Sequence, residues 1–180
     1  MQRVMRGFTL TEMCITLAIV AILSGSAVPS FTEWLANSAR NAAVNNFWHA
    51  IFLARSEAIK RNSVVVLCSS TDGAHCDGSP NSWANGWLVF ENLDHDQPAV
   101  VDNGEPILFR YNPQADMSIT SNTYRSSFAF RPIAQSGANG TIVFCDQRGA
   151  RSARAIIISH TGRARTSERD ASNHALQCPV

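Results

Sequence analysis

Three arginines crowd one short stretch near the end of the chain, HTGRARTSER, where they stand at Arg163, Arg165 and Arg169. A guanidinium is always charged and presents a planar fork of donors that fits phosphate or carboxylate oxygens in pairs. If residues 161–165 are extended, Arg163 and Arg165 project from one face, because side chains alternate along a strand. Gly162 permits a turn or a close backbone approach, and Ala164 is small and faces the other way. Arg148, Arg151 and Arg154 lie upstream and Arg169 downstream, partly offset by Asp146, Glu168 and Asp170. Two uses fit this pattern. One is a local grip on a phosphate backbone with little sequence preference. The other is a solvated face whose arginines pair with Glu168 and Asp170. The formal net charge of the whole chain is +1, which argues against a polyanion covering the entire surface and leaves a local patch.

Cysteine is the second residue type with chemistry to offer. Cys14 falls in an apolar run and reads as a packing residue. Cys68, Cys76, Cys145 and Cys178 allow three pairings, and an oxidising compartment is expected to join them. The local pairings are favoured. Cys68–Cys76 closes a short loop, and Cys145–Cys178 ties the tail, with its arginines, back to a strand. On the loop-entropy model these contribute about 2.5 and about 4 kcal/mol. Zinc is the competing use, but the spacings lack the paired C-x-x-C form. Asp94, His95 and Asp96 read as a solvated turn, since no further ligands stand at suitable spacing. No nucleophile–base arrangement is visible. No catalytic residue, metal or cofactor is expected.

The first 28 residues, MQRVMRGFTLTEMCITLAIVAILSGSAV, open with Arg3 and Arg6 and continue as an apolar run from Phe8 to Val28 whose only charge is Glu12. About 20 apolar residues span a bilayer core of about 30 Å, and the leading arginines favour a cytoplasmic N-terminus. A secretory signal peptide competes, with SGSAVPS as its cleavage site. Glu12 decides against it. A carboxylate within an apolar helix costs on the order of 3 kcal/mol and persists where it has a partner. Gly7-Phe8-Thr9-Leu10-Thr11-Glu12 resembles the prepilin motif of type IV pilins and pseudopilins. The resemblance implies cleavage between Gly7 and Phe8 by a prepilin peptidase and N-methylation of Phe8. It also implies that Glu12 pairs with an N-terminal amine during filament assembly. Each buried charge offsets the other's desolvation, so a misplaced subunit is penalised.

The elements that must position the arginines follow. From Ser30 to Arg61 the spacing predicts a helix carrying Phe31, Trp34, Leu35, Val44, Phe47, Trp48, Ile51, Phe52 and Ile59. One helix from Phe8 to about Arg61 is expected, with a bend at Pro29 and a stop at Asn62. Its aromatic stripe reads as core. Beyond it, SVVVLC, GWLVFEN, ILFRY, SFAFRP, TIVFCD and RAIIISH are β-prone runs separated by Gly, Pro, Asn and Asp, as in an antiparallel domain. The stretches STDGAHCDGSPNSWANG and NLDHDQPAVVDNGEP read as loops. Four segments result: leader 1–7, transmembrane and filament-core helix 8–29, amphipathic helix 30–62, and a β-rich periplasmic head 63–180.

ARSEAIKRN, VVVLCSS, WANGWLVFEN and IIISHTGRAR together resemble the FimT/GspH family of minor pilins and pseudopilins. That resemblance implies an α+β fold, type IV pilin-like, with a long N-terminal transmembrane helix packed on an antiparallel β-sheet or sandwich head. It also implies other major and minor pilins as partners. The expected location is the bacterial inner membrane, single-pass with the head in the periplasm, and a pilus or pseudopilus that can carry the protein to the cell surface. DNA-binding members of the family are associated with a C-terminal Gly-Arg-x-Arg motif, which Gly162, Arg163, Ala164 and Arg165 match. With that resemblance, the phosphate-gripping use becomes the expectation: a minor pilin that binds DNA for uptake in natural transformation. The alternative is a GspH-like minor pseudopilin of type II secretion, or a purely structural minor pilin that primes pilus assembly.

Overall fold

The computed structural model describes residues 7–113, 117–121, 125–133 and 138–179, with the helical backbone alone at 26–29. Arg3, Arg6 and the rest of the leader before Gly7 lie outside the described residues. The chain forms two compact units, 1–38 and 39–180. One helix, α1 (Leu10–Arg61), runs through both. It starts two residues later than its apolar run, because Thr9 caps it. The Thr9 hydroxyl accepts from Glu12 N–H at 3.3 Å, and the Glu12 carboxylate accepts from Thr9 N–H at 3.5 Å. This is the reciprocal arrangement of a capping box. The helix is helical through Pro29. Asn62 ends it in a left-handed conformation, φ 52°. Ser63 N–H returns to the Ala58 carbonyl at 3.2 Å and Asn62 N–H to Ile59 at 3.4 Å, the pattern of a Schellman stop.

In the first unit the apolar side chains from Phe8 to Leu23 are exposed. An 18-residue window there has a mean hydropathy of 2.0, long and apolar enough to cross a membrane.

Among the described residues the second unit holds eight strands in two antiparallel sheets. Strands β1 (Val64–Ser69), β2 (Trp87–Asn92), β3 (Ile107–Tyr111) and β5 (Ser127–Phe130) form one, in the order β3-β2-β1-β5. Strands β4 (Ser118–Ser121), β6 (Gly140–Cys145), β7 (Arg154–Ile158) and β8 (Ala164–Ser167) form the other, in the order β4-β6-β7-β8. One core joins α1 to both. Val65, Leu67, Trp87, Phe128, Ile142, Phe144 and Ile156 meet Ala43, Phe47, Ala50, Ile51, Ala54 and Ala58 of the helix. Phe47 sits at the centre with its ring edge-on to Trp83, Trp87 and Phe144 at 5.1–5.7 Å. The outer face of the first sheet is covered by Cys76, Ala99 and Val101, and that of the second by Leu176 of the tail.

The aromatic stripe is not one core face. Phe47 is fully buried, but Trp48, Phe52 and Ile59 are exposed, as are Phe31, Trp34 and Leu35. The helix lies on the sheets through Phe47, Val44, Ile51 and a row of alanines, which let the backbones approach closely, and turns its other large rings away. The first loop also departs from expectation. It contains a 3-10 turn, Ser82–Asn85, whose Trp83 is fully buried and donates to the Arg125 carbonyl at 2.8 Å. Gly86 follows it at φ 141°, where a Cβ would fall 2.6 Å from the Tyr111 carbonyl oxygen.

Candidate nucleic-acid interface

The stretch HTGRARTSER is the second half of a hairpin. Ser159 N–H donates to the Arg163 carbonyl at 2.9 Å, and Gly162 N–H donates to the Ser159 carbonyl at 2.8 Å. Gly162 has φ 73°, the left-handed conformation that lets a short hairpin loop close through a bulge. From α1, Arg55 donates to the Thr161 carbonyl at 2.7 Å and fixes the loop against the helix. In the ladder Ala164 stands opposite Ile158 and Arg165 opposite Ile157. Ala164 packs against the central core. Strand alternation therefore turns Arg165 to the other side, while Arg163 lies just before the strand, at the end of the loop. Both are exposed, and among the described residues neither side chain has a hydrogen-bond or ion-pair partner.

The remaining arginines are not equivalent to these two. Arg154 is paired with Glu168 at 3.0 Å, the residue that follows β8. Arg148 is paired with Asp146 at 2.5 Å. Arg169 donates to the Asn173 carbonyl at 2.9 Å within the tail. Arg151 is exposed and without an ion-pair partner among the described residues. The structure thus singles out Arg163, Arg165 and Arg151, and spends Arg148 and Arg154 on internal pairs.

Arg40 of α1 completes that internal cluster and was not legible in the sequence. It is buried, donates to the Ser152 carbonyl, and lies 3.9 Å from Asp146. Desolvation, then repulsion from Arg154 and Arg148, lowers its pKa. The hydrogen bond from Arg148 holds the Asp146 carboxyl below the usual carboxylate range. A depressed carboxylate contributes stability above its unfolded pKa and loses it as pH falls through the folded value. Asp146→Ala removes the carboxylate that pairs with Arg148 and lies beside the buried Arg40. It should cost on the order of 3 kcal/mol near neutral pH. Denaturant titrations should show the gap to the wild type narrowing below about pH 4, where the wild type loses the same charge.

The disulfides join Cys68 to Cys76 and Cys145 to Cys178. Cys145–Cys178 and Leu176 pin the tail to the outer face of the second sheet. The tie does not itself hold Arg163 and Arg165, which β7 and Arg55 hold instead. Cys145→Ser with Cys178→Ser should therefore lower stability by about 2–4 kcal/mol in denaturant titration. DNA affinity, measured by anisotropy where the variant is folded, should stay close to that of the wild type. A variant that stays folded but loses binding would show that the tail orders the arginines.

Asp94 and Asp96 meet Asp102 rather than His95, with carboxylate oxygens within 4.8 Å of one another. Desolvation and then the charges of Asp94 and Asp96 push Asp102 up. Backbone N–H groups of Asp96 and Val100 supply hydrogen bonds to this loop's carboxylates, which accounts for the arrangement as a turn.

Residues 43–162 match the family model described as Type II transport protein GspH, and residues 2–28 match the prokaryotic N-terminal methylation motif. Two solved structures resemble the fold, both of the type IV minor pilin FimU of Pseudomonas aeruginosa strain PAO1. One is 15% identical with a TM-score of 0.56, covering 77% of this chain and 99% of that one. The other, in a second crystal form, is 17% identical with a TM-score of 0.56, covering 77% of this chain and 94% of that one. No curated protein matches the chain. The family match ends at Gly162, so Arg163 and Arg165 lie just past it.

Proposed function

The chain belongs to the GspH family, and on that footing we propose a minor pilin that binds DNA without sequence preference through Arg163 and Arg165, for DNA uptake in natural transformation. The family and the N-terminal methylation motif establish the coarser statement. The protein is a minor pilin or pseudopilin of a type IV pilus or a type II secretion system, structural rather than enzymatic. It assembles with other pilins and is processed by a prepilin peptidase.

One observation carries the finer reading. Arg163 and Arg165 are exposed and unpaired among the described residues, one just before an edge strand and one on it, while nearby Arg148 and Arg154 are neutralised. Unpaired guanidinium groups on an exposed hairpin can reach phosphates without first breaking an internal salt bridge. Gly162 supplies the bend that presents them. In this reading the protein sits in the bacterial inner membrane with residues 63–180 in the periplasm. The two disulfides support an oxidising location for that unit. Cleavage falls between Gly7 and Phe8, Phe8 is methylated, and Glu12 pairs with an N-terminal amine of an assembling subunit.

A second reading, a pseudopilin of type II secretion or a purely structural minor pilin, is favoured by the family match stopping before the arginines. The two separate in the cell. Cells whose only copy carries Arg163→Gln and Arg165→Gln should assemble pili normally and take up little DNA. Unchanged transformation would favour the structural role.

A further inference from the structure

Trp48 and Phe52 stand one helical turn apart on α1, with ring centroids 5.6 Å apart and planes 12° from parallel. They are 41% and 62% exposed. Beside them runs a groove of about 440 Å³. Trp48, Ile51, Phe52 and Arg55 line one wall, and residues 162–164 of the hairpin line the other. The hairpin wall leaves room because Gly162 and Ala164 are small. Arg55 is held in place by the Thr161 carbonyl at 2.7 Å. Arg163 borders the groove and also belongs to the proposed phosphate-binding pair.

A flat aromatic surface between two cations has a specific chemical complement: a planar, electron-rich ring joined to a phosphate. A nucleotide is such a group, with its base stacking on the aromatic face and its phosphate meeting a guanidinium. An intact duplex does not offer it, since its bases are stacked on one another and present only edges in the grooves. A neighbouring subunit's apolar helix would cover the rings but would also bury Arg55 and Arg163 against it, which costs free energy unless acids meet them. We infer that this groove takes an unpaired base of DNA lying along Arg163 and Arg165, so that the preferred partner is single-stranded or frayed DNA. The inference rests on the DNA-binding reading above. The base supplies the stacking contact, and the arginines supply the salt-dependent one.

The test uses the full-length chain in detergent micelles and two labelled probes: a 20-nucleotide thymidine strand and a 20-base-pair duplex with both ends closed by loops. The wild type should bind the single strand more tightly. Trp48→Ala with Phe52→Ala should weaken single-strand binding about 10-fold or more, with an unchanged salt slope and duplex affinity within about 2-fold. Trp48→Tyr with Phe52→Tyr keeps both aromatic faces and should restore most of the loss. Both positions are exposed, so circular dichroism should report an intact fold. If the alanine variant binds single strands like the wild type while the arginine variant loses both probes, the groove inference fails and the DNA reading stands. If the wild type binds neither probe, the DNA reading fails and the groove falls with it. If the alanine variant binds both probes normally but no longer co-assembles with other pilins, the face is a subunit interface and the inference is overturned.

Discussion

Replacing Arg163 and Arg165 together by glutamine should weaken DNA binding about 30- to 150-fold. Each guanidinium removed takes away a charge-assisted contact at a wet surface, worth about 1–1.5 kcal/mol, and the factor follows from their sum. Glutamine keeps the side chain polar and adds no negative charge, so the loss reports missing contacts rather than new repulsion. Two fewer phosphates neutralised means two fewer counterions released, and the log–log salt slope should become shallower by about 2. The fold should be nearly unaffected. Both side chains are exposed and have no ion-pair partner among the described residues, and exposed charges contribute little to stability. Arg148 and Arg154 make the complementary control. They are engaged with Asp146 and Glu168, so their replacement should disturb folding more and DNA affinity less. Anisotropy at several salt concentrations, paired with denaturant titration, separates these outcomes.

Gly7→Glu should block maturation outright. Gly7 has no side chain, is exposed, and precedes the helix that begins at Leu10. A peptidase must draw extended backbone into its site, and a small residue before the cut lets that backbone enter. A glutamate there adds bulk and charge next to the membrane surface. Mass spectrometry of the membrane fraction should find the wild type beginning at Phe8 with one added methyl group, and the variant still carrying residues 1–7. A wild-type chain that begins after Ala27 would instead mark a cleaved signal peptide. A wild-type chain that retains Met1 would remove the leader from the account. The Thr9–Glu12 capping box bears on the same step, since it starts the helix just beyond the cut and leaves Gly7 and Phe8 outside it.

Sequence patterning read some elements more readily than others, for physical reasons. Strands β1, β2, β3, β5, β6 and β7 are runs of large apolar or β-branched residues, because most of them are covered on both faces by the helix, a loop or the tail. Strands β4 and β8 form the two edges of the second sheet. Their sequences, SITS and ARTS, are largely polar, as edge strands are, and no apolar run announces them. That is why the arginine-bearing strand could be stated only as a condition on residues 161–165. The helix misled in the opposite direction. Its large aromatics attract the eye as core, yet of them only Phe47 is buried among the described residues, and the face that meets the sheets is otherwise built on Ala43, Val44, Ala50, Ile51, Ala54 and Ala58. Close packing needed small residues there, so the exposed Trp48 and Phe52 emerged from the structure alone. Arg40 could not be picked out either, since its partners Ser152 and Asp146 lie more than 100 residues away in the chain. Trp83 was hidden by its company of Ser, Asn and Gly, which reads as loop, and only burial gives its ring a role.

The most direct test of the central claim is the salt dependence of DNA affinity for the full-length wild-type chain, measured on two unrelated sequences. The account predicts micromolar binding at low salt, equal for the two sequences within a few-fold, with the logarithm of the affinity falling linearly as the logarithm of the salt concentration rises. Absence of binding at low salt, or an affinity indifferent to salt, would contradict it, and the structural role of a pseudopilin would then stand in its place.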